Sequence, residues 1–196
     1  MDNAVKRNRK LRLLVTAKCP NNCPKCRNRR FDVESIPVVD RWDYDEISLT
    51  GGEPLMFPQP LAESLAQGIR VVCDAKGFAA PKIFLYTALF DVTRLNYAVQ
   101  HVFDGLTLTP HKAEDVGNFL ILNRLLTKIH MADPHRPGCS LRLNLFPDMR
   151  SVLEGFMRDD PGWVGDLSLW DVRSKEWLDE CPVPDGEDFR RLARLW

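Results

Sequence analysis

The sequence has no long hydrophobic run and no excess of charge of either sign. No stretch of the 196 residues approaches the ~20 consecutive apolar residues that cross a bilayer, so we expect no membrane span. The 27 lysines and arginines balance the 27 aspartates and glutamates, which gives a formal net charge of zero. Bulk electrostatic attraction to nucleic acid or to an anionic membrane is therefore not indicated.

The cysteine patterns of zinc ribbons and of secreted proteins are also missing. A zinc ribbon needs two Cys-x-x-Cys pairs, and this chain has only the pair formed by Cys23 and Cys26. Residues 1–7 resemble no secretory leader and run straight into a strand-like segment. A chain of this length also needs no disulfide staples, so a disulfide framework is not expected.

Internal repeats and low-complexity segments are absent, and the composition is ordinary. Apolar residues make up 44% of the chain and charged residues 28%, values typical of globular proteins. The length fits one domain, residues 1–196, with a full hydrophobic core. The one local charge cluster, Lys-Arg-Asn-Arg-Lys at residues 6–10, predicts a solvated N-terminal arm, with contact to an anionic partner as the alternative.

Strand-like apolar runs alternate with segments of helical period, a pattern typical of parallel α/β folds. Strands are predicted at residues 11–16, 46–50, 82–87, 106–109, 141–146 and 167–172. Helices are predicted from about Pro60, from an Asp91 cap to about Val99, over 116–129, and from Ser151, where Ser151 and Glu154 match a capping box. The tail, residues 174–196, is predicted to be helical in two pieces.

Several predicted strands carry polar residues at alternate positions. Strand residues two apart share a face, so these side chains line one face of the sheet. Such a face can hold a polar ligand if it is enclosed, and the alternative is that it meets solvent on edge strands. The pairs are Ser48 and Thr50, Thr107 and Thr109, and Arg142 and Asn144.

Three cysteines follow the first predicted strand in the spacing Cys-x-x-x-Cys-x-x-Cys. Cys19, Cys23 and Cys26 lie on one short loop, so their thiolates can converge on one metal centre. A closed zinc site takes four ligands, and a protein-sealed iron–sulfur cluster normally takes four cysteines. Three cysteines therefore predict a cluster with one metal open to a small molecule, with structural zinc as the alternative.

A second motif, Gly51-Gly52-Glu53-Pro54, follows the second predicted strand. The carboxyl ends of parallel strands meet at one edge of the sheet, where ligands gather, so both motifs can face one site. In this order, each after a strand, the two motifs resemble those of the radical S-adenosylmethionine (SAM) enzyme family.

The resemblance implies an open, partial TIM-like (β/α)6 barrel of parallel strands. It also implies a 4Fe-4S cluster held by Cys19, Cys23 and Cys26, with SAM bound at the open iron. By position, the implied SAM contacts are Gly51, Gly52, Glu53, Pro54, Thr87, Thr109, His111, Asp171 and Val172, and the implied catalytic residues are Lys112 and Asn144.

The function implied by this resemblance is reductive cleavage of SAM to a 5′-deoxyadenosyl radical, which abstracts hydrogen from a substrate. Residues 109–112, Thr-Pro-His-Lys, are similar to the Ser/Thr-Pro-Lys segment of carboxy-deazaguanine synthases with one residue inserted, so a small-molecule substrate is expected. Family members take electrons from a donor such as flavodoxin or ferredoxin, and an oxygen-sensitive cluster implies the cytoplasm.

Two other functions stay open at this point. The first is an activase of a glycyl-radical enzyme, such as anaerobic ribonucleotide reductase, whose substrate is a glycine of the partner protein. The second, from another class, is a non-catalytic zinc or iron–sulfur scaffold protein.

Overall fold

The computed structural model describes residues 9–21, 23, 26, 32–133, 138–159, 162, 167–176 and 186–195. Within them the strands are β1 (Lys10–Thr16), β2 (Glu46–Gly51), β3 (Lys82–Thr87), β4 (Gly105–Leu108), β5 (Ser140–Leu145), β6 (Trp170–Ser174) and β7 (Glu187–Arg191). The helices in the same residues are α1 (Gln59–Ala75), α2 (Val92–His101), α3 (Ala113–Ala132) and α4 (Pro147–Asp159).

All seven strands form one parallel sheet in the order β6-β5-β4-β3-β2-β1-β7. From β1 to β6 each strand lies beside the next one along the chain, and α1 to α4 provide the crossovers from β2 to β6. Successive right-handed crossovers in one direction place the helices on one face of the sheet. The predicted parallel α/β class is confirmed, while the partial barrel stays a prediction.

The helix-covered face of the sheet is apolar and buried. One row of side chains crosses six strands in register: Leu13, Leu49, Leu85, Leu106, Leu141 and Trp170. Each is at most 9% exposed and belongs to one continuous core with helix residues such as Phe119 and Leu120. Strong burial of one face explains why the register of the sheet is well specified, since a one-residue slip would expose the whole row.

The other face carries the alternating polar residues, as predicted. Arg12 pairs in register with Ser48, and Thr107 pairs with both Tyr86 and Arg142. Thr107 is buried, whereas Ser48 and Arg142 are half-buried. We call this surface the polar face.

The prediction of a helical C-terminal tail is wrong for its described part. Residues 187–191 form β7, which pairs in parallel with β1 at the edge of the sheet. The segment Glu-Asp-Phe-Arg-Arg has no apolar period of its own, and pairing with β1 decides its conformation. Residues 177–185 and 196 of the predicted tail lie outside the described residues.

Two predicted element starts also need correction. Strand β6 begins at Trp170 rather than 167 and ends at Ser174. Helix α4 begins at Pro147, a residue suited to the first turn because it needs no N–H partner there. The Ser151 hydroxyl therefore lies inside the helix, where it donates a hydrogen bond to the Pro147 carbonyl at 3.1 Å, and is not a cap. The Asp91 cap of α2 is confirmed, since its carboxylate accepts from the Arg94 N–H at 3.0 Å.

The predicted basic arm is partly a sheet element. Lys10 is the first residue of β1 and its ammonium lies 2.7 Å from the Glu46 carboxylate, while Arg9 pairs with Asp43. Residues 6–8 lie outside the described part of the chain. None of the helices in the described residues combines the length and apolar character needed to cross a membrane.

Candidate functional site

A cavity of about 190 Å³ lies at the carboxyl ends of β1 and β2. It brings together both sequence motifs and a residue that follows β4. Its walls include Cys19, Cys23, Cys26, Gly51, Gly52 and His111. We call this space the cysteine cavity.

The two glycines join the two motifs physically. The Gly52 N–H donates to the Thr16 carbonyl at 2.6 Å, and the Glu53 N–H donates to the Lys18 carbonyl at 2.7 Å. A Cβ on Gly51 would collide with the Thr16 carbonyl, and one on Gly52 with the Lys18 carbonyl. Gly51 also has a φ of 141°, which side chains rarely adopt. The end of β2 is thus held against the backbone that leads into the cysteine loop.

Glu53 is 1% exposed and ties the glycine loop to the end of β3. Its carboxylate accepts from the Leu55 N–H at 3.0 Å and the Ala88 N–H at 2.8 Å, and the Thr87 hydroxyl also donates to it. Burial raises the pKa of this carboxyl, and the three hydrogen bonds oppose that shift. Ala88 lines the cysteine cavity, so its hydrogen bond to Glu53 helps to fix the position of a wall residue.

Pro54 and Thr87 support the same junction rather than the cavity wall. Pro54 is buried and begins a 3-10 turn, Pro54–Met56, whose N-cap is Glu53. Thr87 ends β3, is 5% exposed, and accepts from the Leu89 N–H at 3.0 Å. Both residues therefore lie one layer away from the space where a ligand would sit.

His111 brings the carboxyl end of β4 to the cysteine cavity. Its Nδ1 atom lies 3.6 Å from the sulfur of Cys23. Its backbone N–H donates to the Asp115 carboxylate at 3.0 Å, and its ring lies 5.7 Å from that of Phe146, centroid to centroid. Burial lowers the pKa of the imidazole, so the neutral ring is favoured. A neutral ring can hydrogen-bond to sulfur or bind a metal.

The donor atoms at this cavity fit a metal centre by their chemistry. Thiolates suit zinc and iron–sulfur clusters, and Cys3His is one of the donor sets of closed zinc sites. The backbone N–H of Cys26 donates to the Cys23 carbonyl at 3.3 Å, so these two cysteines share one turn. As the side chains stand, no three His, Cys, Asp or Glu residues in the described ranges form a group that could hold a metal ion. The fit rests on donor type and on the shared cavity.

Thr109 and Asn144 meet on the polar face, as their positions predict. The Asn144 amide donates to the Thr109 hydroxyl at 3.3 Å. The Asn144 carbonyl oxygen is buried and accepts no hydrogen bond from the described residues.

The remaining predicted site residues lie elsewhere. Lys112 is exposed at the start of α3, where its ammonium pairs with Glu114 at 2.9 Å. Asp171 and Val172 are interior residues of the edge strand β6, which is five strands from β1. Asp171 is paired with Arg142 and Arg173.

Half of the residues that line the cavity were not predicted as site residues. They are Arg12, Leu14, Asn21, Thr50, Ala88 and Phe189. Arg12 interrupts the apolar run of β1, and a lone charge inside a strand was the available signal. Phe189 lies on β7, a strand that the sequence pattern did not indicate. Asn21 belongs to the cysteine loop, and its buried amide nitrogen has no hydrogen-bond partner within the part of the chain that the structure describes.

Comparison with known proteins adds no relative: no family model, curated protein or solved structure matches this chain.

Proposed function

We propose that this chain is a radical SAM enzyme that cleaves SAM reductively at a 4Fe-4S cluster and acts on a small-molecule substrate. One observation supports the proposal above others. Cys19, Cys23 and Cys26 line a single cavity together with Gly51 and Gly52. Two motifs that are distant in the chain thus meet at the carboxyl edge of a parallel sheet, the usual ligand-binding edge of such folds.

The strand order supports an open barrel as the finer description of the fold. Strands β1 to β6 lie in chain order with the helices on one face, which is the connectivity of a (β/α) barrel. In a barrel the uncovered face is the interior. The polar face, with Thr50, Tyr86, Thr107 and Asn144, would then surround the substrate.

The residues of the chain have separable roles in this proposal. The three cysteines would hold the cluster, and the glycines would let the cofactor approach the backbone closely because they have no side chain. Glu53 acts as a positioning residue, since its carboxylate is held by Leu55, Thr87 and Ala88. When bound, the cluster and SAM would supply the radical chemistry, namely reductive cleavage of SAM and abstraction of hydrogen from the substrate.

The test is anaerobic reconstitution with iron and sulfide, followed by reduction in the presence of SAM and chromatographic detection of 5′-deoxyadenosine. We expect the product from the wild type and from Cys139→Ala, because Cys139 precedes β5 at the opposite edge of the sheet. We expect none from Cys23→Ala, together with loss of the iron–sulfur absorbance. Equal product from Cys23→Ala would contradict the ligand assignment.

A structural zinc site is the second candidate function, and one observation favours it. His111 lies 3.6 Å from the sulfur of Cys23 and could complete a Cys3His set. A closed zinc site would leave no position for SAM. Stoichiometric zinc in the purified protein, lost in His111→Ala and accompanied by no SAM cleavage, would establish this function instead.

A further inference from the structure

Two arginines from strands on either side of β3 converge on Tyr86, in the middle of the polar face. The guanidinium carbon of Arg12, on β1, lies 5.8 Å from the centre of the Tyr86 ring. Arg142, on β5, directs its Nη1 to the Tyr86 hydroxyl at 3.4 Å. Each arginine comes from a strand two places away from β3.

Short side chains on the intervening strands allow this convergence. On β2, Ser48 stands beside Arg12 in register, and on β4, Thr107 stands between Tyr86 and Arg142. Neighbouring strands are ~4.8 Å apart, so the backbone of each arginine lies about 10 Å from that of β3 and its side chain reaches across one strand. A large side chain at Ser48 or Thr107 would block that path. The short neighbours let both long cations reach Tyr86 on the polar face.

The charges around Tyr86 do not balance. Among the described residues there, Arg12, Arg142 and Arg173 stand against two carboxylates, Glu187 and Asp171. Arg12 is held by Glu187 at 2.9 Å. Asp171 lies 2.6 Å from Arg173 but 3.3 Å from Arg142, so its charge is mainly matched by Arg173. Arg142 is therefore the cation with the weakest counter-charge.

Both converging arginines are partly removed from water. The side chain of Arg12 is 21% exposed and that of Arg142 is 31% exposed. A guanidinium in such a place binds carboxylate or phosphate well, because its planar donors match two oxygens and the local dielectric is low. Arg12 also lines the cysteine cavity, which places the cationic pair beside it.

We propose that the polar face around Tyr86 binds an anionic group, a carboxylate or a phosphate, through Arg12 and Arg142. Taking this group as part of the substrate rests on the proposed function, and it makes the substrate a small organic anion. The site itself is complete without any cofactor, so it can be tested on the protein alone.

The test measures binding of inorganic phosphate and of benzoate to the full chain by calorimetry, without SAM or reductant. Benzamide, the neutral analogue of benzoate, controls for stacking on the ring of Tyr86. We expect the anions to bind and benzamide to fail. Tighter binding of phosphate would assign a phosphorylated ligand, and tighter binding of benzoate a carboxylate. Failure of both anions to bind would overturn the proposal.

Substitutions locate the site. Arg12→Gln and Arg142→Gln should each weaken anion binding about tenfold or more, the effect expected for one lost charge-assisted hydrogen bond. Arg124→Gln, on the exposed side of α3, removes the same charge and should leave the affinity unchanged. Equal affinities in all three variants would contradict the assignment.

A second measurement needs no substitution and so does not depend on the folding of a variant. Phenylglyoxal modifies arginines, and peptide mass spectrometry reports each site. Bound phosphate should slow the labelling of Arg12 and Arg142 but not that of Arg124, and equal rates would overturn the proposal. A protein that binds anions but never forms 5′-deoxyadenosine would remove the cofactor proposal alone. SAM cleavage without anion binding would remove only the anion site.

Discussion

The sulfur of Cys23 lies 3.6 Å from Nδ1 of His111, although 88 positions separate the two residues. Cys23 follows β1 and His111 follows β4, and two strands lie between them in the sheet. Three strand spacings amount to about 14 Å. The cysteine loop and the loop after β4 therefore meet across the carboxyl edge of the sheet, above β2 and β3.

This contact separates the two candidate metal sites. In the radical SAM proposal His111 is a neighbour of a ligand, so His111→Ala should keep about the same iron content and shift the reduction potential of the cluster. In the zinc alternative His111 is the fourth ligand, so the same variant should lose its metal. Metal analysis with redox titration distinguishes them. His101→Ala, on α2 away from the cysteine cavity, is the matched control.

Gly52→Ala tests the junction between the two motifs. The added methyl group would collide with the Lys18 carbonyl, so we expect a loss of about 1–3 kcal/mol in the free energy of unfolding. Gly117→Ala is the control, because that helical glycine has open space around it. Its substitution should stabilise the protein by about 0.5–1 kcal/mol. Similar values for the two variants in urea denaturation would show that the close approach is not a constraint.

Glu53→Ala tests the positioning role of the buried carboxylate. Removing it leaves the N–H groups of Leu55 and Ala88 and the Thr87 hydroxyl without their acceptor. One unsatisfied buried polar group costs about 1–3 kcal/mol, so a clear loss of stability is expected. The cluster should still assemble, while SAM binding weakens because the glycine loop is no longer fixed. Glu154→Ala, exposed on α4, should change neither quantity.

Glu53 also predicts a pH dependence of stability. Burial raises its pKa above the ordinary value of 4.5, so the folded protein holds this proton more tightly than the unfolded chain. The stability that Glu53 contributes is then fully present below pH 4.5 and falls as the pH rises through the raised pKa. The free energy of unfolding of the wild type minus that of Glu53→Gln should fall over that rise. A signed difference that increases with pH would contradict the upward direction of the pKa shift.

The strands that carry the site could be predicted because their patterns are local. Apolar residues such as Leu49 and Leu85 recur along their strands, and the Asp91 cap is a short-range signal. In a parallel α/β fold the carboxyl ends of these strands lie at one edge of the sheet. The meeting of the cysteine loop with Gly51 and Gly52 was expected on that ground alone.

The parts of the fold and of the site that could not be predicted depend on contacts between distant elements. Strand β7 pairs with β1 at the edge of the sheet and Glu187 pairs with Arg12, and neither contact is visible within residues 187–191. The register of β1, β2 and β3 places Arg12 level with Phe84, two residues before Tyr86 on the same face, and the contact of Arg12 with Tyr86 depends on that register. Lys112 was predicted as a site residue from its place after β4. Its side chain pairs with Glu114 at the surface.

The electron paramagnetic resonance spectrum of the reduced, reconstituted protein, recorded before and after addition of SAM, tests the central claim most directly. A cluster held by the three cysteines and open to SAM should change its signal when SAM binds, and Cys23→Ala should show no cluster signal. A spectrum that SAM leaves unchanged, or a protein that takes up zinc and no iron, would contradict the account.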